Sequence, residues 1–203
     1  EEKGLPVWLV GGCLRDLLLG LAPKDWDFAV ALPPQEAEER LKGAGLKVYE
    51  TGLKHGTLTF RFEKENFELT SLRLDGPYPD HRRPEWVKFT QDIRQDLSRR
   101  DFTINAMAYR PGDGLTDPYG GREDLAGGIL RAVGEAEKRL EEDALRVLRA
   151  VRFAGRFGLR IEPSLASAMR GQAGLLSAIS RERIAAELNA MLLEKNPVPA
   201  LEL

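Results

Sequence analysis

LVGGCLRDLLLGLAPKDWDF, residues 9–28, is the stretch that decides the fold. Val-Trp-Leu-Val at 7–10 reads as a short buried strand, and Gly11 and Gly12 as a tight turn. Cys13 to Leu19 follow as a helix that Gly20 ends, with Pro23 just beyond. Residues 26–31 read as a second strand, stopped by Pro33 and Pro34. At its entrance Asp25 and Asp27 flank Trp26, and alternate residues of a strand share a face. Two close carboxylates repel, so the pair wants a cation. Mg²⁺ suits it, being held as a rule by one or two carboxylates plus substrate phosphates. Two such ions can activate an attacking hydroxyl and stabilise the leaving oxygens. The N–H groups of the Gly11–Gly12 turn can approach a phosphate at the start of the helix, with Arg15 and Asp16 one turn in. The glycine spacing is neither the dinucleotide fingerprint nor a phosphate loop ending in Gly-Lys-Ser or Gly-Lys-Thr. A plain turn and a pair of strand-entrance aspartates remain the alternative reading.

Outward from this core, Gln35 to Lys42 fit a helix stopped by Gly43. Leu46–Tyr49, Thr57–Phe62 and Phe67–Leu72 are strand candidates, the last two a hairpin across 64–66. Residues 73–85 hold Gly76, Pro77, Pro79 and Pro84 among charges and predict a loop long enough to suspect a function. Residues 101–109 read as a helix starting near Asp101 or Thr103, and Leu130–Val133 as another strand. After Gly134 the texture changes. Residues 137–157 lack proline, and lack glycine until Gly155, and a long helix is read from Glu141, with Glu142, Asp143 and Arg146 at its start. Further helices are expected over 164–170 and 181–193, before Pro197 and Pro199. This gives a mixed α/β domain over 1–133 and a helical domain over 134–203.

Two further sets of residues could carry chemistry. Arg99 and Arg100 are adjacent, so one can face a phosphate while the other pairs with Asp96 or Asp101. On the expected helix, Asn105 lies one turn past Asp101 and could touch ribose. A solvated ion network at a helix start explains the same residues. In the long helix, Arg146, Arg149, Arg152 and Arg156 share one side, and Val147, Ala150, Val151, Ala154 and Phe157 the other. Such a row is costly unless it meets carboxylates or phosphates. Glu142, Asp143 and Arg146 offer acceptors and a donor fork that can read a nucleobase edge. The plainer alternative is acid placement at a helix start with local salt bridges.

Composition sets the bounds. The chain has 203 residues, 42% hydrophobic and 31% charged, which is ordinary globular composition rather than disorder. No apolar run is long enough for a membrane span. Cys13 is the only cysteine, which excludes an internal disulfide and a cysteine-clustered zinc site and favours the cytoplasm. His55 and His81 are too far apart to suggest a metal pair, and His55 before Gly56 reads as a strand-end residue. The net charge of −2 neither requires nor forbids nucleic acid.

The chain resembles the class II tRNA nucleotidyltransferases, which include the CCA-adding enzymes, and the similar bacterial poly(A) polymerases. The resemblance rests on residues 9–28 and on HGTLTF at 55–60, DLSRRDFTINAMA at 96–108, DPYGGREDL at 117–125, EDALRVLRAVRFAGRFG at 142–158 and ERIAAEL at 182–188. It implies an α+β protein: a polymerase β-like nucleotidyltransferase head with a mixed sheet, followed by an all-helical neck. Asp25 and Asp27 would be the catalytic pair holding two Mg²⁺ ions, with Glu68 the candidate for a third carboxylate. Gly11, Gly12, Arg15 and Asp16 would form the triphosphate pocket, assisted by Arg100, with Asp101 and Asn105 at the sugar. Glu142, Asp143 and Arg146 match the amino-acid template that reads CTP or ATP, and Arg149 and Arg152 join the nucleotide-binding set. The implied activity is Mg²⁺-dependent transfer of CMP and AMP from CTP and ATP to the 3′ end of tRNA, with release of pyrophosphate. The specialised CC-adding, A-adding and poly(A) members stay open, as does an inactive RNA- or nucleotide-binding module. The loop at 73–85 resembles one that C-adding members need, which argues against an A-adding enzyme. DNA and membranes are not expected partners. Members of this family continue into body and tail domains that grip tRNA, which would lie beyond Leu203.

Overall fold

The computed structural model describes residues 5–52 and 56–203, the side chains of residues 50 and 51 excepted. His55, expected at a strand end, lies outside the described residues. The chain divides into two compact units, each assembled from separate segments. The first comprises residues 1–76, 86–100 and 105–119, and the second 77–85, 101–104 and 120–203. The division therefore differs from a single cut at 133.

The first unit is built on a mixed seven-stranded sheet. Strand β1 (Val7–Val10) turns through Gly11 into helix α1 (Gly12–Leu18) and returns as β2 (Asp27–Val30). Helix α2 (Pro34–Gly43) leads to β3 (Lys47–Gly52), β4 (Thr57–Phe62) and β5 (Glu65–Ser71). The expected hairpin is present, but Phe62 pairs with Glu65, so its turn is Glu63–Lys64 and not 64–66. Glu63 takes φ 54° there, as such a tight turn demands. β5 runs parallel to β2, and β1 is antiparallel to β2. Val30, Ala37, Leu58 and Leu69 form a buried cluster between α2 and the sheet.

One expectation holds in part and another fails. Of the loop expected over 73–85, residues 76–85 form neither helix nor strand, but residues 73–75 are strand β6 (Arg73–Asp75), paired with β7 (Val87–Phe89). The helix expected over 101–109 is absent. Helix α3 (Ile93–Ser98) ends before it, Thr103–Asn105 form one 3-10 turn, and Ala108–Arg110 are strand β8, paired with β1 and with β9 (Gly114–Thr116). Ile104, Ala106, Met107 and Ala108 are all fully buried, so they are apolar on every side and show no helical periodicity to honour.

The second unit is mainly helical. It contains α4 (Gly121–Ala126), α5 (Ala136–Glu142), α6 (Leu145–Phe157), α7 (Pro163–Gln172), α8 (Arg181–Leu192) and α9 (Val198–Leu201). It also holds a small parallel pair, β10 (Ile129–Leu130) with β11 (Arg160–Ile161). Residues 101–104 join this unit because Phe102 bridges Ala132 and Thr103 N–H donates to the Arg131 carbonyl. Phe102 then packs edge-on to Phe153 in a core with Leu130, Leu140, Ala150 and Leu165. Gly155 lets α9 close on α6, since a methyl there would lie 2.5 Å from the Ala200 Cβ. No helix among the described residues is long and apolar enough to cross a membrane.

The helix expected from Glu141 begins instead at Leu145, and the chain leaves the helical conformation at Asp143. That residue is extended (φ −146°, ψ 102°), and its carboxylate accepts from Leu145 N–H at 3.1 Å. Its carbonyl accepts from Arg146 N–H at 2.9 Å, so α6 starts afresh. A short acidic side chain that satisfies orphan N–H groups is a helix-start device.

Candidate active site

In the first unit, Asp27 opens β2 and is the register partner of Glu68 on the parallel strand β5. Glu68 is in turn paired with Thr59 on β4, and Asn66 lies two residues before it on the same face. Asp25, Trp26, Asp27, Thr59, Asn66 and Glu68 line an open cleft of about 480 Å³. Asp25 precedes the strand rather than belonging to it, so alternation along a strand does not account for its position. It nonetheless shares the cleft with Asp27. Sequence reasoning missed Thr59 and Asn66, which become legible only with the hairpin register known.

The electrostatics suit a cation. Burial pushes the Asp27 carboxyl above the usual carboxylate range; Arg100 pulls against this and Asp25 adds to it. The side chains of Asp25, Asp27 and Glu68 form no ion pair among the described residues. No group of three or more His, Cys, Asp or Glu among those residues converges as a metal cage by itself. Two carboxylates open to a cleft fit Mg²⁺, which completes its shell with water and substrate phosphate. Cys13 is buried, and its burial raises the thiol, so it is a packing residue rather than a nucleophile.

Arg100 stands beside the glycine turn. Gly11 adopts φ 75°, and a methyl there would lie 2.6 Å from Arg100 Nη1. Arg100 reaches the Asn105 carbonyl at 3.4 Å and Asp96 at 3.5 Å, while its buried Nε has no hydrogen-bond partner. Such a guanidinium has capacity for an anion. Asp96, one of the two carboxylates expected to pair with Arg99 or Arg100, is buried and also holds Arg99 at 2.8 Å. Arg15 is different. It is 5% exposed and tied to Asp16 at 2.6 Å and to the Asn105 side chain at 2.7 Å. Asn105 thus belongs with Arg15 and Asp16 in the first unit.

Asp101 lies in the second unit, where it accepts from Arg149 at 2.7 and 2.9 Å. Arg149 also meets Glu187 at 3.5 Å, and Arg152 meets Glu187 at 2.6 Å. Asp101 holds the Arg149 guanidinium above its ordinary value. Arg156 pairs with Glu194 at 3.3 Å. The arginine row on α6 is therefore matched by carboxylates, with Glu187 of α8 serving both Arg149 and Arg152. At the α5–α6 break, Glu142 accepts from Arg139 at 2.6 Å and from Arg146 at 2.9 Å, and Arg146 also donates to the Arg139 carbonyl at 2.8 Å. Asp143 is gripped by Arg183 at 2.8 and 3.2 Å. Arg139, Arg183 and Glu187 are site neighbours that no local spacing announced; the last two lie in the 182–188 motif.

The family model described as "Poly A polymerase head domain" matches residues 7–131, and one described as "Probable RNA and SrmB- binding site of polymerase A" matches residues 158–203. The chain is 40% identical over 201 residues to a CCA-adding enzyme of Lactiplantibacillus plantarum, covering 99% of this chain and 48% of that one. It is 41% identical over 192 residues to a CCA-adding enzyme of Geobacillus stearothermophilus, covering 95% and 46%. A crystal structure of the Bacillus stearothermophilus CCA-adding enzyme in complex with CTP matches with a TM-score of 0.88 at 37% identity, over 98% of this chain and 47% of that one. A tRNA nucleotidyltransferase complexed with a primer tRNA and an incoming ATP analog matches with a TM-score of 0.80 at 33% identity, over 99% and 57%. The chain spans about half the length of the relatives it matches.

Proposed function

This chain belongs to the family of the poly A polymerase head domain, and from that premise we propose that it catalyses template-independent addition of CMP and AMP, from CTP and ATP, to the 3′ end of tRNA. The observation that carries this reading is the cleft in which Asp25 and Asp27 stand beside Glu68 with no ion pair among the described residues. The CCA-adding relatives support the choice of reaction, and a cytoplasmic setting goes with the single cysteine.

Asp25 and Asp27 would hold Mg²⁺, two ions in the full reaction, with Glu68 as a third carboxylate. The bound metal supplies charge neutralisation and lowers the pKa of the attacking hydroxyl. The 3′ oxygen of the RNA bonds to the α-phosphorus of the nucleotide, the bond to the β-phosphate oxygen breaks, and pyrophosphate leaves with that electron pair. Gly11, Gly12 and Arg100 receive phosphate oxygens. Arg15, fixed by Asp16 and Asn105, supports that wall. In the second unit Asp143 and Arg146 read the base edge, with Glu142 orienting Arg146. Asp101, Arg149 and Arg152 brace α6 through their ion pairs.

Extension of a tRNA lacking its CCA end, resolved to single nucleotides with Mg²⁺, tests the proposal. Two C and then one A, with CTP and ATP together, are the expected products. A stop after two C, A addition only to a CC end, or a long A tail would each replace CCA addition by a specialised reaction. Absence of both extension and Mg²⁺-dependent nucleotide binding would remove the enzymatic reading.

A further inference from the structure

We propose that Arg183 is a positioning residue that sets nucleotide choice, by holding the Asp143 carboxylate as an oriented acceptor with room for one further donor. The proposal rests on the reading that Asp143 meets the base edge, and it names the residue that makes that edge selective.

The geometry is specific. Arg183, in the first turn of α8, sends Nη1 to Asp143 Oδ1 at 3.2 Å and Nη2 to Oδ2 at 2.8 Å. This two-pronged grip fixes the plane of the carboxylate as well as its place. Oδ1 accepts a second bond, from Leu145 N–H at 3.1 Å. A carboxylate offers about four acceptor positions on its two oxygens. Three are taken by Arg183 and Leu145, which leaves the remaining capacity on Oδ2. The backbone adds to the fixation, because Asp143 is the extended residue between α5 and α6 and its carbonyl is held by Arg146 N–H.

A fixed acceptor discriminates between bases. Cytosine and adenine present an exocyclic amine where uracil and guanine present a carbonyl oxygen. Only the amine can donate to Oδ2; a carbonyl brought there leaves two acceptors facing each other. A carboxylate free to rotate could move aside, and the penalty against uracil would fall. Glu142 faces away from this carboxylate: it accepts from Arg139 at 2.6 Å and from Arg146 at 2.9 Å.

Equilibrium binding of CTP, ATP, UTP and GTP with Mg²⁺ to this chain and its variants tests the proposal without requiring tRNA. Arg183→Gln should lower the preference for CTP over UTP about tenfold. Arg183→Lys should move it in the same direction, because an ammonium cannot span both oxygens. If Arg183→Gln does not fold, the lysine variant, which keeps charge and helix propensity, decides. Weaker binding of all four nucleotides in equal proportion would show a merely structural role and overturn the proposal. An unchanged preference in the Arg183 variants, with a shifted one in Asp143→Asn, would overturn it and leave the base-edge reading intact. An unchanged preference in Asp143→Asn as well would remove that reading and this proposal together.

Discussion

The acidic cleft of the sheet unit and the arginine-lined helix of the other unit treat their carboxylates in opposite ways. In the sheet unit, Asp25, Asp27 and Glu68 share a cleft and form no ion pair among the described residues. In the helical unit, Asp101, Glu142, Asp143, Glu187 and Glu194 are each matched by an arginine. Like charges held together without a counterion raise the energy of the empty site, and a bound cation relieves it. Matched pairs do the reverse: they fix side-chain directions and leave little net charge for a ligand to neutralise. The first arrangement suits metal-assisted chemistry and the second suits recognition.

Substitutions can break this contrast. The largest effect is expected from Asp27→Asn, and equally from Asp25→Asn. Loss of a metal-holding carboxylate removes several kcal/mol of transition-state stabilisation, so transfer should fall by about a thousandfold or more. Stability should hold, because neither side chain has an ion pair to lose among the described residues. Pyrophosphate release beside a thermal melt checks both halves, and normal turnover would end the metal assignment.

Next comes Arg149→Ala, which removes the guanidinium that donates to Asp101 at 2.7 and 2.9 Å. Breaking a buried pair costs about 3–5 kcal/mol. The Arg149 side chain is 32% exposed, so water screens part of this and about 2 kcal/mol is expected. A fall in Tm of about 5 °C follows, and an unchanged Tm would show that the row on α6 is not a brace.

Gly11→Ala should have a smaller effect on stability but also touch the ligand. The positive φ costs a side chain about 1–2 kcal/mol, and the added methyl displaces Arg100. Weaker CTP binding with a modest loss of Tm is the expected result; intact binding would remove Arg100 from the phosphate site. Arg156→Ala sets the lower end. Its pair with Glu194 is 3.3 Å long and partly exposed, so it should cost under about 1 kcal/mol, and a much larger loss would show that the second unit depends on its outermost pair.

Legibility followed the range of the interactions. Val7–Val10, the Gly11 turn and α1 were readable because a buried strand, a glycine at φ 75° and a short helix are written in adjacent residues. Residues 101–109 were misread because their burial depends on distant segments: β1 for Ala108, and Ala132 for Phe102. The helix read from Glu141 was placed a few residues early because Glu141 and Glu142 end a separate helix, α5, and a non-glycine run gives no local sign of the junction. The Asp143 carboxylate caps α6 only when the chain turns there.

By itself the sequence determined a mixed α/β region followed by a helical one, the order of the main elements and the residue types available for chemistry, since these follow from periodicity, turn residues and composition. The tertiary structure alone decided which of those residues stand together. Sheet register put Glu68 beside Asp27, and helix packing gave Asp143 to Arg183. It also sent Asp101 and Asn105 to different units although they are four positions apart. Partners far apart in sequence leave no mark in local spacing, because what selects them is the burial and hydrogen bonding of the folded chain.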